Sequence, residues 1–237
     1  MKLGNPIRVV KGVFQIRALG SRVTALIGDG RVLMIDAGMK GSAGLIHSGL
    51  DELGVSSNSL SGVIITHYHP DHAGGVRELV YESDIPVMAH RLDSRFLKGA
   101  EEQPNPFQRR LMARIAAPLM EKVNAPLTPI DTELEDGDII PFDFPVQVVH
   151  TPGHTPGSIT IFLPNQKLLI VGDALQYRLG RKLTPPAAAV TQDPEQAMES
   201  LRKLVSLDFH TICFSHFPPF HGAARAALRQ MLGTYTL

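Results

Sequence analysis

The 237-residue sequence contains one cysteine and no tryptophan, and its 23 Lys and Arg residues balance its 23 Asp and Glu residues. One cysteine excludes a disulfide-stabilised scaffold and a cysteine-rich zinc module, because both need several thiols. The lack of a basic excess argues against a protein that binds nucleic acid by neutralising phosphates. Apolar runs such as Val146–Val149 are strand-sized and far shorter than the roughly 18 residues of a membrane-spanning helix. We therefore expect neither a nucleic-acid nor a membrane partner.

The N-terminal residues lack the pattern of a secretory signal. Residues Met1–Pro6 lead into no apolar segment or small-residue cleavage site of the kind found in secretory signals. We therefore predict a cytoplasmic protein, and a single free thiol is compatible with that compartment. Hydrophobic residues at 43% and charged residues at 19% are ordinary for a folded globular protein of one domain.

Short apolar runs between glycine turns predict β-strands in both halves of the chain. In the first half, the predicted strands are Val9–Ala18, Arg22–Ile27, Arg31–Ile35, Leu60–Thr66 and Pro86–His90. The predicted helices of this half are Gly44–Leu53 and Gly74–Tyr81. The second half repeats this order, with strands at Ile139–Ile140, Val146–His150, Ser158–Leu163, Leu168–Val171 and Thr211–Phe214 and helices at Pro194–Ser206 and Ala223–Leu232. The pattern predicts an α/β sandwich with two central sheets and helices outside.

Residues 91–127 differ in composition from the segments on either side. They contain several Arg and Lys residues, four spaced prolines and a helical stretch near Phe107–Met120. We interpret this segment as a helical insertion or lid within a single domain that spans residues 1–237.

The sequence His67-x-His69-x-Asp71-His72 is the strongest functional signal in the chain. It directly follows a predicted buried strand and places four potential metal ligands within six residues. Imidazole nitrogens and carboxylate oxygens suit Zn²⁺ and similar cations without a thiolate. On an extended backbone His67 and His69 face the same side, so both can reach one ion. A turn at Pro70 would direct Asp71 and His72 towards a second position nearby.

Further candidate ligands follow in the second half of the sequence. His154 lies in a turn rich in Gly and Pro between two predicted strands, which is a rigid mount for a ligand. Asp173 ends an apolar strand, where a bridging role between two cations would satisfy both of its carboxylate oxygens. His216 follows the last predicted strand and is favoured over His221 as the final ligand.

In residue type and order, these motifs resemble the metallo-β-lactamase superfamily over nearly the whole chain. The resemblance implies an αβ/βα four-layer sandwich that holds two divalent metal ions. Matched position by position, it assigns His67, His69 and His154 to the first ion, Asp71, His72 and His216 to the second, and Asp173 to a bridge between them. The family often has Gly-His-Gly around the last ligand, whereas this chain has Ser215-His216-Phe217.

The resemblance also bears on the metal and on the residues around it. We take Zn²⁺ as the first choice, although the same ligands accept Mn²⁺, Fe or Co²⁺. Asp36 matches a family aspartate that lies beside the site and supports the ligands.

Two neighbouring cations would generate a bridging hydroxide that acts as the nucleophile, so no Ser–His or Cys–His pair is required. Asp71 is placed to orient this hydroxide and to carry a proton to the leaving group. Tyr177, four residues after Asp173, is a candidate hydrogen-bond donor to a developing oxyanion, as in lactonase-like members of the superfamily. The predicted function is a dinuclear metal-dependent hydrolase that cleaves a lactone, a carboxylic ester or a thioester in a small molecule.

Several alternatives stay open from the sequence. A glyoxalase II-like thioesterase is less favoured because no basic helical segment for glutathione is evident near the C-terminus, and a β-lactam hydrolase is less favoured because no signal peptide is evident. A mononuclear iron enzyme that resembles sulfur dioxygenases would use the same first ligand group. A metal-binding protein without catalytic activity is the remaining class.

Overall fold

The computed structural model describes residues 4–81, 83–104, 126–178 and 182–235. Within these residues, the strands form a seven-stranded sheet, a five-stranded sheet and a small two-stranded sheet. Apolar side chains of the two large sheets face each other and form a central core. This arrangement agrees with the two central sheets that the strand pattern predicts.

The first sheet has its strands in the order of the sequence. They are β1 (Pro6–Val10), β2 (Val13–Arg17), β3 (Arg22–Ile27), β4 (Val32–Ile35), β5 (Leu60–Ile65), β6 (Val87–His90) and β7 (Thr132–Leu134). Neighbours from β1 to β4 are antiparallel, and neighbours from β4 to β7 are parallel. Strands β4, β5 and β6 are buried on both faces, as their nearly continuous apolar sequences require, whereas the edge strand β7 is partly exposed.

The second sheet is formed by the later part of the chain. Its strands are β8 (Ile139–Ile140), β9 (Val146–His150), β10 (Ile159–Leu163), β11 (Leu168–Ile170) and β14 (Thr211–Cys213), in the order β14-β11-β10-β9-β8. Strands β12 (Gln176–Arg178) and β13 (Lys182–Thr184) pair as a separate hairpin.

Helices cover the outer faces of both sheets. They are α1 (Ala43–Glu52), α2 (Pro70–Ala73), α3 (Val76–Leu79), α4 (Arg91–Leu97), α5 (Pro194–Leu204) and α6 (Ala224–Gly233). Apolar side chains of α1, α3 and α4 pack on the first sheet, and those of α5 and α6 pack on the second. With the core between the sheets, these layers form the four-layer αβ/βα sandwich, which confirms the predicted fold.

The segments with the predicted ligands follow strands that end at one edge of the sandwich. Strands β4, β5 and β6 are parallel, so their carboxyl ends lie together. Strands β9, β11 and β14 share one direction because β10 is antiparallel to both β9 and β11, while β14 is parallel to β11. At this edge the backbone N–H of Ile159 donates to the carbonyl of Thr66 at 2.9 Å, which joins the two sheets.

Some predicted elements differ from the structure. The predicted strand Val9–Ala18 is in fact the hairpin of β1 and β2, because Gly12 adopts a φ of +76° and reverses the chain. Strands β7, β12 and β13 were not predicted, because their sequences Thr-Glu-Leu, Gln-Tyr-Arg and Lys-Leu-Thr contain no apolar run. The predicted helix Gly74–Tyr81 is shorter and corresponds to α3.

The predicted insertion over residues 91–127 is described only in part. Its beginning forms α4, whereas the predicted helical stretch Phe107–Met120 lies outside the described residues. The insertion and its action as a lid therefore stay predictions. Among the described residues, no helix has the length and apolar character needed to cross a membrane.

We expect the core between the sheets to dominate stability. Ile161 in β10 is fully buried there, so Ile161→Ala should lower the free energy of unfolding by about 2–5 kcal/mol. The matched control is Ile139→Ala, because the Ile139 side chain in β8 is 66% exposed and its truncation should change stability by less than about 0.5 kcal/mol. Chemical denaturation monitored by circular dichroism measures both. Equal effects of the two substitutions would contradict the assigned core.

Candidate metal centre

The first group of candidate ligands consists of three buried histidines. The Nε2 atom of His67 lies 3.1 Å from the Nδ1 atom of His69, and the Nε2 atom of His154 lies 3.0 Å from that same Nδ1 atom. The three nitrogens therefore converge on one point, although 85 residues separate His69 from His154 in the sequence. Such a cluster of three neutral imidazoles is a donor set that divalent transition metals prefer.

The second group lies beside the first and is open to solvent. The Oδ2 atom of Asp71 lies 3.8 Å from Nε2 of His72 and 3.3 Å from Nε2 of His216. The His72 side chain is fully buried, whereas the side chains of Asp71 and His216 are 28% and 29% exposed. A molecule from solvent can therefore approach the centre from the side of Asp71 and His216.

Asp173 lies between the two groups and contacts both. Its Oδ2 atom is 3.6 Å from Nε2 of His154, in the first group. Its Oδ1 atom is 3.2 Å from Nε2 of His216 and 3.6 Å from Nε2 of His72, in the second group. One carboxylate oxygen thus faces each group, which is the arrangement a bridging ligand requires.

The turn after β5 explains how four neighbouring residues face two groups. His69 is extended, with a ψ of 149°, and Pro70 then begins the short helix α2. Proline favours this position because its fixed φ suits the first helical turn and its missing N–H needs no partner there. The change from extended to helical backbone directs His67 and His69 to the first group and Asp71 and His72 to the second.

The hairpin turn between β2 and β3 supports Asp71 from outside the motif. The hydroxyl of Ser21 donates to the backbone carbonyl of Asp71 at 2.6 Å. Gly20 has a φ of +79°, and a Cβ atom there would lie 2.9 Å from Cβ of Asp71. The turn therefore approaches Asp71 so closely that only glycine fits at this position.

Asp36 orients the rings of two predicted ligands. Its Oδ2 atom accepts hydrogen bonds from Nδ1 of His72 at 2.8 Å and from the hydroxyl of Thr66 at 2.9 Å. Because the Thr66 proton points to Asp36, the Thr66 oxygen is left to accept from Nδ1 of His67 at 3.2 Å. Both imidazoles thereby carry their proton on Nδ1 and present Nε2 to the centre. Asp36 itself has a φ of +64°, a conformation that Asp and Asn tolerate better than most residues.

Burial and neighbouring imidazoles keep the first group neutral. Burial is the main cause that lowers the pKa values of His67 and His69 well below the usual range, and other histidines of the centre lower them further. Burial also lowers the pKa of His154. Neutral imidazoles are the form that binds metal, so no proton has to leave this group before an ion enters.

The second group is electrostatically different because it contains carboxylates. Burial opposes protonation of His72, but Asp36, Asp71 and Asp173 together raise its pKa to about 10. Likewise, burial opposes ionisation of Asp173, but the neighbouring imidazoles hold its pKa well below the usual range. The carboxylates therefore stabilise positive charge at this position.

The residues of the centre fit two divalent cations. The Nε2 atom of His72 is buried and has no hydrogen-bond partner among the described residues, although it points at the carboxylates. A buried polar atom without a partner is costly, and a metal ion that replaces the proton on this nitrogen would remove that cost. Three overlapping sets of residues each place their potential ligand atoms within 4.8 Å of one another. The first set is His67, His69 and His154, the second is His67, His72 and Asp173, and the third is Asp71, His72 and His216.

All seven residues predicted to bind metal are therefore brought together. Their role as ligands stays a prediction, and so does the identity of the metal. His216 belongs to the cluster, whereas the competing candidate His221 is exposed and lies in none of the three sets of ligand atoms found among the described residues.

Tyr177 is placed differently from the other predicted site residues. Its ring stacks on Phe214 with centroids 5.7 Å apart and meets Phe220 edge-on at 5.3 Å. No hydrogen bond or ring contact joins Tyr177 to the seven candidate ligands among the described residues. Its predicted role as an oxyanion donor thus gains no support from these contacts and stays a prediction.

Asp93 is a residue of the site that the sequence patterns did not reveal. Its carboxylate is buried and accepts hydrogen bonds from the backbone N–H of Tyr68, the hydroxyl of Thr155 and the backbone N–H of Gly157. Burial raises its pKa to about 6, and these three hydrogen bonds act in the opposite direction. The one signal in the sequence that could have indicated this residue was an acidic side chain on the same face of α4 as the apolar Phe96 and Leu97.

A cavity of about 300 Å³ adjoins the second group. It is lined by residues 17–22 of the turn between β2 and β3 and by Ser215 and His216. The cavity is next to the partly exposed ligands, so a small molecule bound there would lie beside the centre.

Sequence comparison relates this chain to known proteins. A family model described as the metallo-beta-lactamase superfamily matches residues 17–216. The probable metallo-hydrolase YflN of Bacillus subtilis is 30% identical over 202 residues, which cover 80% of this chain and 76% of that relative. A hydroxyacylglutathione hydrolase of Cereibacter sphaeroides is 31% identical over 192 residues, which cover 80% of this chain and 58% of that longer relative.

Solved structures show the same fold at lower sequence identity. The metallo-beta-lactamase family protein TTHA1429 of Thermus thermophilus has a TM-score of 0.72 at 22% identity, and the match covers 96% of this chain and 80% of that one. The metallo-beta-lactamase MIM-1 of Novosphingobium pentaromativorans has a TM-score of 0.72 at 19% identity, and the match covers 98% of this chain and 88% of that one. At these identities the likeness concerns the fold alone.

The contacts of Asp36 generate a prediction about metal affinity. Asp36→Asn retains the shape and tolerates the positive φ, but it removes the negative charge and at least one hydrogen-bond acceptor. We expect Zn²⁺ affinity to fall by about 10- to 100-fold, the usual cost of losing a carboxylate that orients metal-binding histidines. Competition with a chromophoric chelator measures this affinity. The control is Asp51→Asn in the exposed part of α1, and equal affinities for both variants would contradict the role of Asp36.

Proposed function

The chain belongs to the metallo-β-lactamase superfamily and is a metallo-hydrolase by that membership, and we propose that it cleaves an ester-type bond in a small molecule. Thioesters, carboxylic esters and lactones are the substrates in question, with thioesters as the first candidate. The observation that carries the proposal is the position of Asp173. Because each of its oxygens faces one candidate ligand group, this carboxylate supports a centre in which two cations act on the same substrate.

The donor set is compatible with metal-dependent hydrolysis. It consists of nitrogen and oxygen atoms, without a thiolate, and it is open to solvent on the side of Asp71 and His216. When two divalent cations are bound in such a site, they lower the pKa of a water molecule towards neutrality and polarise a carbonyl oxygen. The chain must then hold the ligands, orient the water and move a proton.

Asp71 is the residue best placed for the last two tasks. Its carboxylate belongs to the second group and is also partly exposed, so it can contact both a ligand position and an incoming molecule. Its backbone is fixed by Ser21 and by the close approach of Gly20. We infer that Asp71 accepts a proton from the attacking water and delivers it to the leaving group.

Relatives of this chain support a thioester as the first candidate. Several are named hydroxyacylglutathione hydrolase, and such a substrate is a thioester of glutathione. Those relatives are longer than the matched region, so their preference for glutathione is not carried over here. We propose that this protein cleaves the same kind of bond, a thioester, and we make no proposal about the thiol that leaves.

The remaining proposals follow from the sequence. We propose Zn²⁺ as the metal, with Mn²⁺, Fe and Co²⁺ as alternatives that the same ligands accept. A small-molecule substrate, the absence of nucleic-acid and membrane partners, and a cytoplasmic location also stay predictions.

The direct test of the substrate class is a matched panel of assays. Purified protein loaded with Zn²⁺ is offered an acyl thioester, a p-nitrophenyl ester, a γ-lactone and a β-lactam under identical conditions. We expect the highest kcat/KM for one of the first three substrates. Preference for the β-lactam, or hydrolysis of none of the four substrates, would overturn the proposal.

Removal of the metal should abolish activity and weaken the fold. We expect dialysis against a chelator to eliminate hydrolysis and added Zn²⁺ to restore it. The ion should also stabilise the native state, by about 2.7 kcal/mol when its free concentration is about 100 times its Kd. Paired activity and thermal-unfolding measurements test both effects. Full activity in protein shown by elemental analysis to be free of metal would contradict the assignment.

Replacement of Asp71 should separate catalysis from folding. We expect Asp71→Ala to lower kcat/KM by about 10²- to 10⁴-fold, because both proton transfer and a ligand of the second group are lost. The control is Asp208→Ala, since the Asp208 side chain is 61% exposed and belongs to neither ligand group. A kinetic assay at saturating Zn²⁺ provides the comparison. Wild-type turnover of Asp71→Ala with intact metal content would rule out the proposed role.

A further inference from the structure

One buried carboxylate connects the two chain segments that supply the first ligand group. We propose that Asp93 is a positioning residue that holds the loop with His67 and His69 against the turn with His154, and thereby sets the metal affinity of this group. The inference rests on the proposed metal centre but is independent of which bond the enzyme cleaves. It assigns a function to a side chain that belongs to none of the ligand sets.

The geometry of Asp93 connects both segments directly. Its Oδ2 atom accepts from the backbone N–H of Tyr68 at 3.0 Å and from the hydroxyl of Thr155 at 2.7 Å. Its Oδ1 atom accepts from the backbone N–H of Gly157 at 2.7 Å. Tyr68 lies between His67 and His69, and Thr155 directly follows His154. Each donor therefore lies within a few residues of a ligand.

The surroundings of Asp93 are built for this contact. A Cβ atom at position 157 would lie 2.6 Å from Oδ1 of Asp93 and 2.5 Å from its backbone nitrogen, so only glycine permits the approach. The hydroxyl of Thr155 also lies 2.8 Å from that of Ser158, which extends the network along the same turn. These contacts are buried, so loss of an acceptor would not be compensated by solvent.

The first ligand group is sensitive to the relative position of its two segments. His67 and His69 come from the loop, and the third nitrogen comes from His154 in the turn. A shift of the turn away from the loop would lengthen the 3.0 Å separation between Nε2 of His154 and Nδ1 of His69. Asp36 performs a different task, because it contacts the ring of His72 directly and the ring of His67 through Thr66.

Asp93→Asn is the substitution that tests the connection with little change in volume. An amide has only one acceptor oxygen, so its NH₂ group must face either the N–H of Gly157 or the N–H of Tyr68. The hydroxyl of Thr155 can reverse and accept from the amide, but a backbone N–H cannot. The variant therefore loses at least one of the two backbone connections.

The experiment measures Zn²⁺ affinity by chelator competition in two backgrounds that isolate each ligand group. In full-length His216→Ala protein, where the second group is incomplete, Asp93→Asn should weaken binding by about 10- to 100-fold. In His69→Ala protein, where the first group is incomplete, Asp93→Asn should leave binding unchanged. The control is Asp131→Asn, because Asp131 also accepts a backbone N–H, from Val87 at 2.8 Å, and this hydrogen bond joins it to neither segment of the first group.

The outcomes distinguish positioning from general stabilisation. Equal weakening in both backgrounds, or equal effects of Asp93→Asn and Asp131→Asn, would show that Asp93 only supports the fold and would overturn the inference. If the selective pattern holds while no ester, thioester or lactone is hydrolysed, the inference stands and the proposed substrate class fails. If the wild-type chain binds no Zn²⁺, both fail.

A second pair of variants covers the case in which Asp93→Asn does not fold. Thr155→Val removes only the hydroxyl that donates to Asp93, whereas Thr155→Ser retains it. In the His216→Ala background we expect Thr155→Val to weaken Zn²⁺ binding and Thr155→Ser to retain the affinity of that background. Identical affinities for the Val and Ser variants would contradict the connection through Asp93.

Discussion

The structure of the candidate centre depends on one carboxylate, Asp173, that lies within reach of two groups of imidazoles. Five histidines and three aspartates crowd one edge of the sandwich, and burying so many polar groups is unfavourable unless they neutralise one another. Asp173 contributes to this neutralisation on both sides, since one of its oxygens faces each group. The remaining features of the site can be understood as ways to hold the other ligands around this carboxylate.

The sandwich provides the convergence that this arrangement needs. Parallel strands of the first sheet end beside strands β9, β11 and β14 of the second, so loops from both halves of the chain meet at one edge. Two further carboxylates refine the positions. Asp36 fixes the rings of His67 and His72, and Asp93 connects the two segments of the first group. Most of the candidate ligands thus lie on loops and turns that follow the strands, and buried hydrogen bonds hold these segments in position, as a precise metal site requires.

The part of the site that could be predicted from the sequence is the part encoded locally. Residues 67–72 could be recognised because the spacing of the candidate ligands along one short segment determines the direction of each side chain. The more distant ligands, such as His154 and Asp173, were recognised through their flanking turns and strands and the family resemblance. Asp93 was missed because its partners Tyr68 and Thr155 lie 25 and 62 residues away, and no local pattern indicates such contacts. The position of Tyr177 depends on stacking against Phe214, which follows β14 and is distant from Tyr177 in the sequence.

The central claim is that this chain holds two cations that share Asp173. Elemental analysis of metal per chain, on purified wild-type protein and on Asp173→Ala, tests it most directly. We expect about two divalent ions per wild-type chain, as in dinuclear hydrolytic sites, and fewer in the variant, since the carboxylate that faces both groups is lost. A single iron ion per chain, or full metal content retained by Asp173→Ala with unchanged affinity, would contradict it.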